Sequence, residues 1–192
     1  MLFFLNFYSY GNFGYIVIDP GHGGKDPGAI GKWGIKEKDI TLSVSKKIAN
    51  ILKKEYGFKV ILTREEDIFL SLSERAEIAK RYNAKLFVSI DCNYFEMSNI
   101  KGPEVFFLSN ESRKLAFFIN QRINEFTKSR GITKANFYLL RNIYIPSVII
   151  EIGYVSNPEE ANLLIDKNYQ YLLARGIAEG IREYVNWYIS ER

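Results

Sequence analysis

The chain has 192 residues but only one cysteine and one histidine. A single thiol, Cys92, excludes an intrachain disulfide and by itself says little about compartment. A single imidazole, His22, excludes any site that needs two, so a metal bound here would be held largely by carboxylates. Long hydrophobic runs are also missing. The apolar, aromatic stretch 1–10 is too short to span a bilayer, and it lacks a basic n-region and a small-residue cleavage site. It reads as a first strand, with a trimmed export signal as the rival reading of residues 1–14. There is no internal repeat, linker, charge block, basic run or RNA-binding signature. Lys and Arg outnumber Asp and Glu by 26 to 22, giving a net charge of +4, but they are scattered along the chain. Mild basicity suits a carboxylate-rich polymer as well as a nucleic acid. With no recognition signature beside it, nucleic acid is not expected as a partner.

What is present is ample apolar material, 47% of residues against 25% charged, which suits one folded domain with a substantial core. Strand and helix signals alternate. This order predicts a single α/β domain over residues 1–192, with a twisted, mostly parallel sheet flanked by helices on both faces. Strands are expected at 15–19, 58–63, 86–90, 104–108 and 147–152. A helix over 39–56 buries Ile40, Val44, Ile48, Ile51 and Leu52 on one face and stops at Gly57. A second helix over 71–82 opens with Ser71 and Glu74 in a capping box. Further helices are expected over 112–130 with Gly131 as terminator, over 157–164 with Asn157 as cap and Pro158 at the first position, and over 169–189.

Polar residues stand out where they end or interrupt apolar strands, because in a parallel sheet these positions gather at the carboxyl edge, where ligands bind. His22 follows the first strand, in Asp19-Pro20-Gly21-His22-Gly23-Gly24. Asp91 directly follows Val88-Ser89-Ile90. Glu151 interrupts Val148-Ile149-Ile150-Glu151-Ile152-Gly153, where an unpaired carboxylate is costly to bury. Glu37 lies just before the long helix. Each has a plain structural reading: His22 a loop residue, Glu37 a first-turn glutamate favoured by the helix dipole, Asp91 a turn cap. Glu151 is the hardest to dismiss. All four at one sheet edge point to a metal site.

The run Ile16-Val17-Ile18-Asp19-Pro20-Gly21-His22-Gly23-Gly24-Lys25-Asp26-Pro27-Gly28-Ala29 resembles the opening of the N-acetylmuramoyl-L-alanine amidases with an amidase-3-type catalytic domain. The match continues through Lys36-Glu37-Lys38-Asp39, then Leu62-Thr63-Arg64 with Leu72 and Arg75, then Leu86-Phe87-Val88-Ser89-Ile90. It closes with Ile150-Glu151-Ile152-Gly153-Tyr154-Val155-Ser156-Asn157, and in all covers roughly residues 15–185. The resemblance implies a phosphorylase/hydrolase-like fold and a Zn²⁺ held by His22, Glu37 and the residue after Ile90. It implies Glu151 as the catalytic carboxylate, peptidoglycan as the substrate, and a place of work in the cell envelope, either periplasmic or secreted. It leaves room for an activating or targeting protein partner.

The family pattern at the third ligand position is histidine, whereas here it is Asp91, followed by Cys92 and Asn93. Aspartate binds zinc at about 2.0–2.2 Å, so the position can still serve. Two carboxylates and one imidazole formally neutralise Zn²⁺ and make it a weaker Lewis acid, and such a donor set also suits another divalent ion such as Mn²⁺. Cys92 should face away from the site if the strand continues past Ile90. A catalytically impaired homologue that binds peptidoglycan or a partner protein is the alternative reading, and a metal-dependent hydrolase of another substrate is a third. Substrate contacts are expected from Arg141 and Asn93, with Tyr94 and Trp33 near the site loops. The segment 110–137 is expected to hold one helix and little else. That leaves no room for the site-blocking insertion some relatives carry there.

Overall fold

A computed structural model describes residues 10–96 and 99–191. The strand expected over 1–10 lies outside the described residues except for Tyr10, which opens a 3-10 turn, Tyr10–Asn12. The elements are β1 (Tyr15–Pro20), α1 (Glu37–Lys54), β2 (Lys59–Leu62), α2 (Leu72–Arg81), β3 (Leu86–Asn93) and β4 (Glu104–Phe107). They continue with α3 (Asn110–Ile123), β5 (Gly131–Lys134), α4 (Tyr138–Asn142), β6 (Ser147–Tyr154), α5 (Pro158–Ile165) and α6 (Lys167–Ser190). The strands form one sheet in the order β2-β1-β3-β6-β4-β5. All neighbours run parallel except β4 against β6.

Ile16-Val17-Ile18, Leu86-Phe87-Val88 and Val148 with Ile150 are fully buried, as central parallel strands covered on both faces must be. Side-chain alternation then sorts the faces. Ile16, Ile18, Val88, Ile90, Val148 and Ile150 point into the larger core, where α1, α3 and α6 supply Val44, Ile48, Leu115, Ile119, Leu173 and Ile177. Each such side chain, wholly removed from water, contributes about 1.5–3 kcal/mol. Val17, Phe87 and Ile149 face a smaller core closed by Ala79 of α2 and by Leu139 and Leu140 of α4. The same alternation places Asp19, Ser89, Asp91, Glu151 and Glu104 on this second, thinly covered face. In register, Asp91 lies opposite Glu151, and Glu151 opposite Glu104.

Several elements differ from the sequence expectation. α3 stops at Ile123 rather than near residue 130. Here Asn124 Oδ1 accepts the Ser129 N–H (3.1 Å), and the Ser129 hydroxyl donates to Pro103 O (3.0 Å), so side-chain bonds to the backbone replace helical ones. Gly131 (φ 100) opens β5 instead of ending a helix, so the segment 110–137 holds a strand as well as a helix. The short helix α4 was not foreseen, and its N-cap Phe137 makes no side-chain capping bond. β3 runs on to Asn93, which puts Asp91 inside the strand and turns Cys92 into the larger core. The capping box of α2 and the Asn157 cap of α5 form as expected.

Candidate metal centre

His22 sits in the β1–α1 loop with left-handed backbone (φ 57), flanked by Gly23 (φ 128) and Gly24 (φ 57). Two buried arginines hold this loop. Arg75 of α2 donates to Pro20 O (2.7 Å), His22 O (2.7 Å) and Asp19 Oδ1 (2.7 Å). Arg64, after β2, donates to Pro20 O (3.0 Å), Gly21 O (2.8 Å) and Lys38 O (2.9 Å). Asp19 also accepts from Thr63 and faces the Ser89 hydroxyl at 3.2 Å, so its buried charge has hydrogen-bond donors as well as the Arg75 cation.

The imidazole is fixed from behind. Asp26 Oδ2 lies 2.8 Å from Nδ1 and draws the proton there, which turns Nε2 toward Glu37. Glu37, the first residue of α1, accepts the Cys92 N–H (2.6 Å) on Oε1 and the Ala29 N–H (2.7 Å) on Oε2. Its Oε2 lies 3.2 Å from His22 Nε2, and Asp91 Oδ1 lies 3.9 Å from the same nitrogen. One donor atom from each of His22, Glu37 and Asp91 falls within 4.8 Å of the others. Gly28 (φ 65) makes the approach possible, since a Cβ there would come within 2.8 Å of both His22 Cδ2 and Glu37 Cβ.

The electrostatics show what this cluster wants. Hydrogen bonding to Glu37, against the opposing effect of burial, raises the His22 pKa to about 9. Burial and the nearby Glu37 charge push Asp91 up to about 7. Burial, then the charges of Asp91 and Glu37, hold Glu151 well above the usual carboxylate range, and its buried Oε2 has no hydrogen-bond partner among the described residues. Crowded carboxylates around one imidazole, with Asp91 and Glu151 driven toward their protonated forms, are a donor set short of a cation. The residues present therefore fit a small divalent ion.

His22 and Asp91 line a cleft of about 620 Å³, floored by Ser89, Asp91, Ile149 and Glu151 and walled by Phe69, Leu72, Phe137 and Tyr138, with Glu37 behind the lining. Of the sequence-predicted residues, His22, Glu37, Asp91 and Glu151 come together here. Asn93 stands just beyond, where its side chain bonds Tyr154 OH (3.3 Å). Arg141 is on α4 and does not itself line the cleft; it bonds Asn136 (3.3 Å), and its guanidinium lies over the ring of the wall residue Tyr138 (5.9 Å to the centroid). Tyr94 and Trp33 are exposed and do not line the cleft. Asp19, Asp26, Arg64 and Arg75 lie in the quoted motifs, but reading the sequence assigned them no role. Ser89 likewise lies in a quoted motif without a role, and no signal singled out Glu104.

The sequence profile described as N-acetylmuramoyl-L-alanine amidase matches residues 16–183. The chain is 30% identical to the N-acetylmuramoyl-L-alanine amidase AmiA of Escherichia coli over 226 aligned residues, covering 92% of this chain and 78% of the relative. Among solved structures, the amidase AmiC2 of Nostoc punctiforme superposes with a TM-score of 0.86 at 40% identity, covering 90% of this chain and 97% of that one. The CwlD amidase of Clostridioides difficile, solved in complex with the GerS lipoprotein, gives a TM-score of 0.85 at 36% identity, covering 91% and 99%. A matched span that runs from the first sheet strand into the last helix includes the His22 loop, Glu37, β3 and Glu151, and on that evidence the chain belongs to the N-acetylmuramoyl-L-alanine amidase family.

Proposed function

We propose that the chain hydrolyses the amide between the lactyl group of N-acetylmuramic acid and the L-alanine of the peptidoglycan stem peptide, using one Zn²⁺ held by His22, Glu37 and Asp91. The observation that carries this reading is the convergence of those three donors within 4.8 Å, beside a Glu151 oxygen that is buried without a partner among the described residues. When bound, zinc would polarise the scissile carbonyl and make a water more acidic. Glu151 takes a proton from the attacking water and returns one to the departing alanine amine. Its raised pKa suits a group that must hold a proton between the two steps. Asp26 keeps the His22 ring oriented, and the two backbone amides on Glu37 keep its carboxylate fixed.

The aromatic and aliphatic walls receive the substrate, and Asn93 and Arg141 are proposed to contact its polar groups from the rim. No feature of the site favours a homologue that only binds peptidoglycan, since such a protein gains nothing from an unpartnered buried glutamate. The substrate places the protein in the cell envelope, periplasmic or secreted. Among the described residues no helix is long and apolar enough to cross a membrane. An activating or targeting protein is the second partner class proposed, by analogy with the relative solved with its lipoprotein.

The test is metal content of protein purified without chelator, together with stem-peptide release from purified peptidoglycan. Near-stoichiometric zinc and turnover are expected in the natural chain. Glu151→Ala should keep the metal and lose turnover by about 10²–10⁴-fold. Mn²⁺ retained in place of zinc would revise the ion and leave the ligand set standing. Absent metal and absent turnover, both restored by Asp91→His, would establish a disabled relative and sink the reading.

A further inference from the structure

Asp91 stands where the family pattern has a longer imidazole, so a short carboxylate must be aimed with care to serve as a ligand. The surroundings of its two oxygens differ. Oδ1 faces His22 Nε2 at 3.9 Å, and the backbone at Gly21 is pressed against it. A Cβ at Gly21 would overlap Oδ1 and come within 2.8 Å of the Asp91 Cγ, so only glycine leaves the carboxylate room on that side. Oδ2 points the other way and accepts the Ser89 hydroxyl at 2.7 Å.

Ser89 has one hydroxyl hydrogen and two carboxylates within reach, Asp91 at 2.7 Å and Asp19 at 3.2 Å. Arg75 and Thr63 both donate to Asp19 Oδ1, and the Ser89 hydrogen goes to the nearer carboxylate, Asp91. Ser89 is itself fully buried and two residues before Asp91 on the same strand, so both side chains project from one face and cannot drift apart.

We infer that Ser89 and Gly21 form a cradle that makes Asp91 a one-oxygen ligand. Ser89 binds Oδ2 and Gly21 gives Oδ1 its space, so that Oδ1 alone is offered beside His22 and Glu37. Ser89 is thus a positioning residue that acts through Asp91. The inference rests on the metal reading proposed above. It extends that reading by saying how this chain accommodates an aspartate at the third ligand position. Carboxylates that ligate metals are held by outer hydrogen bonds, and removing one such bond lowers affinity by about 10–100-fold.

The experiment measures zinc affinity by competition with a chromogenic chelator, and the visible spectrum of the Co²⁺-loaded protein, for the natural chain and for Ser89→Ala, Ser89→Thr and Thr63→Ala. The Thr63 variant removes a hydroxyl from Asp19 but none from Asp91, so it reports general loosening of the sheet edge. Ser89→Ala is expected to weaken zinc by about tenfold or more and to alter the Co²⁺ bands, with Ser89→Thr restoring both. Thr63→Ala should shift affinity by no more than about threefold, well short of that loss. Equal losses in Ser89→Ala and Thr63→Ala, or no loss in Ser89→Ala, would overturn the cradle and leave the metal centre intact. A natural chain that binds neither ion would overturn the metal centre, and the cradle with it.

Discussion

Arg75 carries three hydrogen bonds at the floor of the His22 loop, and one of them neutralises Asp19, which has no contact with solvent. Breaking a buried pair by removing one partner leaves the other charge stranded, at a cost of about 3–5 kcal/mol. Arg75→Met should therefore lower unfolding free energy by about that amount in urea titrations. Arg75→Lys should recover little of it, because an ammonium cannot reach three acceptors in the geometry of a planar fork. A second residue-scale expectation concerns His22. Its pKa of about 9 in the metal-free site means that at pH 7 the ring is protonated, and an ion must displace that proton. Zinc binding at pH 7 should release about one proton or more, read by calorimetry in buffers of different ionisation enthalpy. Apparent affinity should climb as pH rises toward 9. Binding without proton release would remove His22 from the ligand set. At this scale the sequence showed a good deal. His22 and Glu151 were visible because each is a polar residue set among glycines or apolar strand residues. Arg64, Arg75 and Asp19 were not assigned roles, because the bonds that hold the loop link positions 26–56 residues apart, and no local pattern records such contacts.

At the scale of elements, what was legible is what has a local cause. The 3.6-residue spacing of Ile40, Val44, Ile48 and Leu52 set α1, and Ser71 with Glu74 set the start of α2. β5 has four residues with no apolar alternation and, among the described residues, pairs only with β4, so its existence depends on a neighbour, not on its own composition. α3 illustrates the opposite error, since helical spacing continued past Ile123 but Asn124 and Ser129 bonded the backbone instead. The packing of α3 on α6 depends on a residue that propensity alone would mark for improvement. Gly180 lies mid-helix in α6, where alanine is favoured by about 1 kcal/mol. Yet a Cβ there would come within 2.5 Å of Ile119 Cα and 2.8 Å of Ile119 N, which are backbone atoms that cannot step aside. Gly180→Ala should therefore destabilise the protein, by about 1–3 kcal/mol through forced separation of the two helices. A rise in denaturation midpoint would show that the helices have slack at this crossing.

For the molecule as a whole, the three proposed ligands tie together parts far apart in sequence: the β1–α1 loop, the first turn of α1, and β3 in the sheet centre. An ion there would act as a cross-link among the elements that define the carboxyl edge. Without it, those elements converge on a patch of carboxylates whose mutual repulsion is relieved only by protonation. Free zinc at about a thousand times its dissociation constant stabilises a folded state that alone binds it by about 4 kcal/mol. For a chain of this length that corresponds to a rise in unfolding temperature of roughly 8–16 °C. Chelation should lower the midpoint by that much, and zinc should return it. The difference should also depend on pH, with a sign set by His22. In the metal-free protein its folded pKa is raised from 6.5 to about 9. Its protonated form therefore stabilises the fold fully below pH 6.5, and that contribution is lost as pH rises through 9. The metal-bound protein needs the neutral ring and loses nothing over the same range. The gap between the zinc-loaded and chelated midpoints should accordingly widen from pH 7 to pH 9. A gap that narrowed over that interval would mean that the ion, wherever it binds, is not competing with a proton on His22.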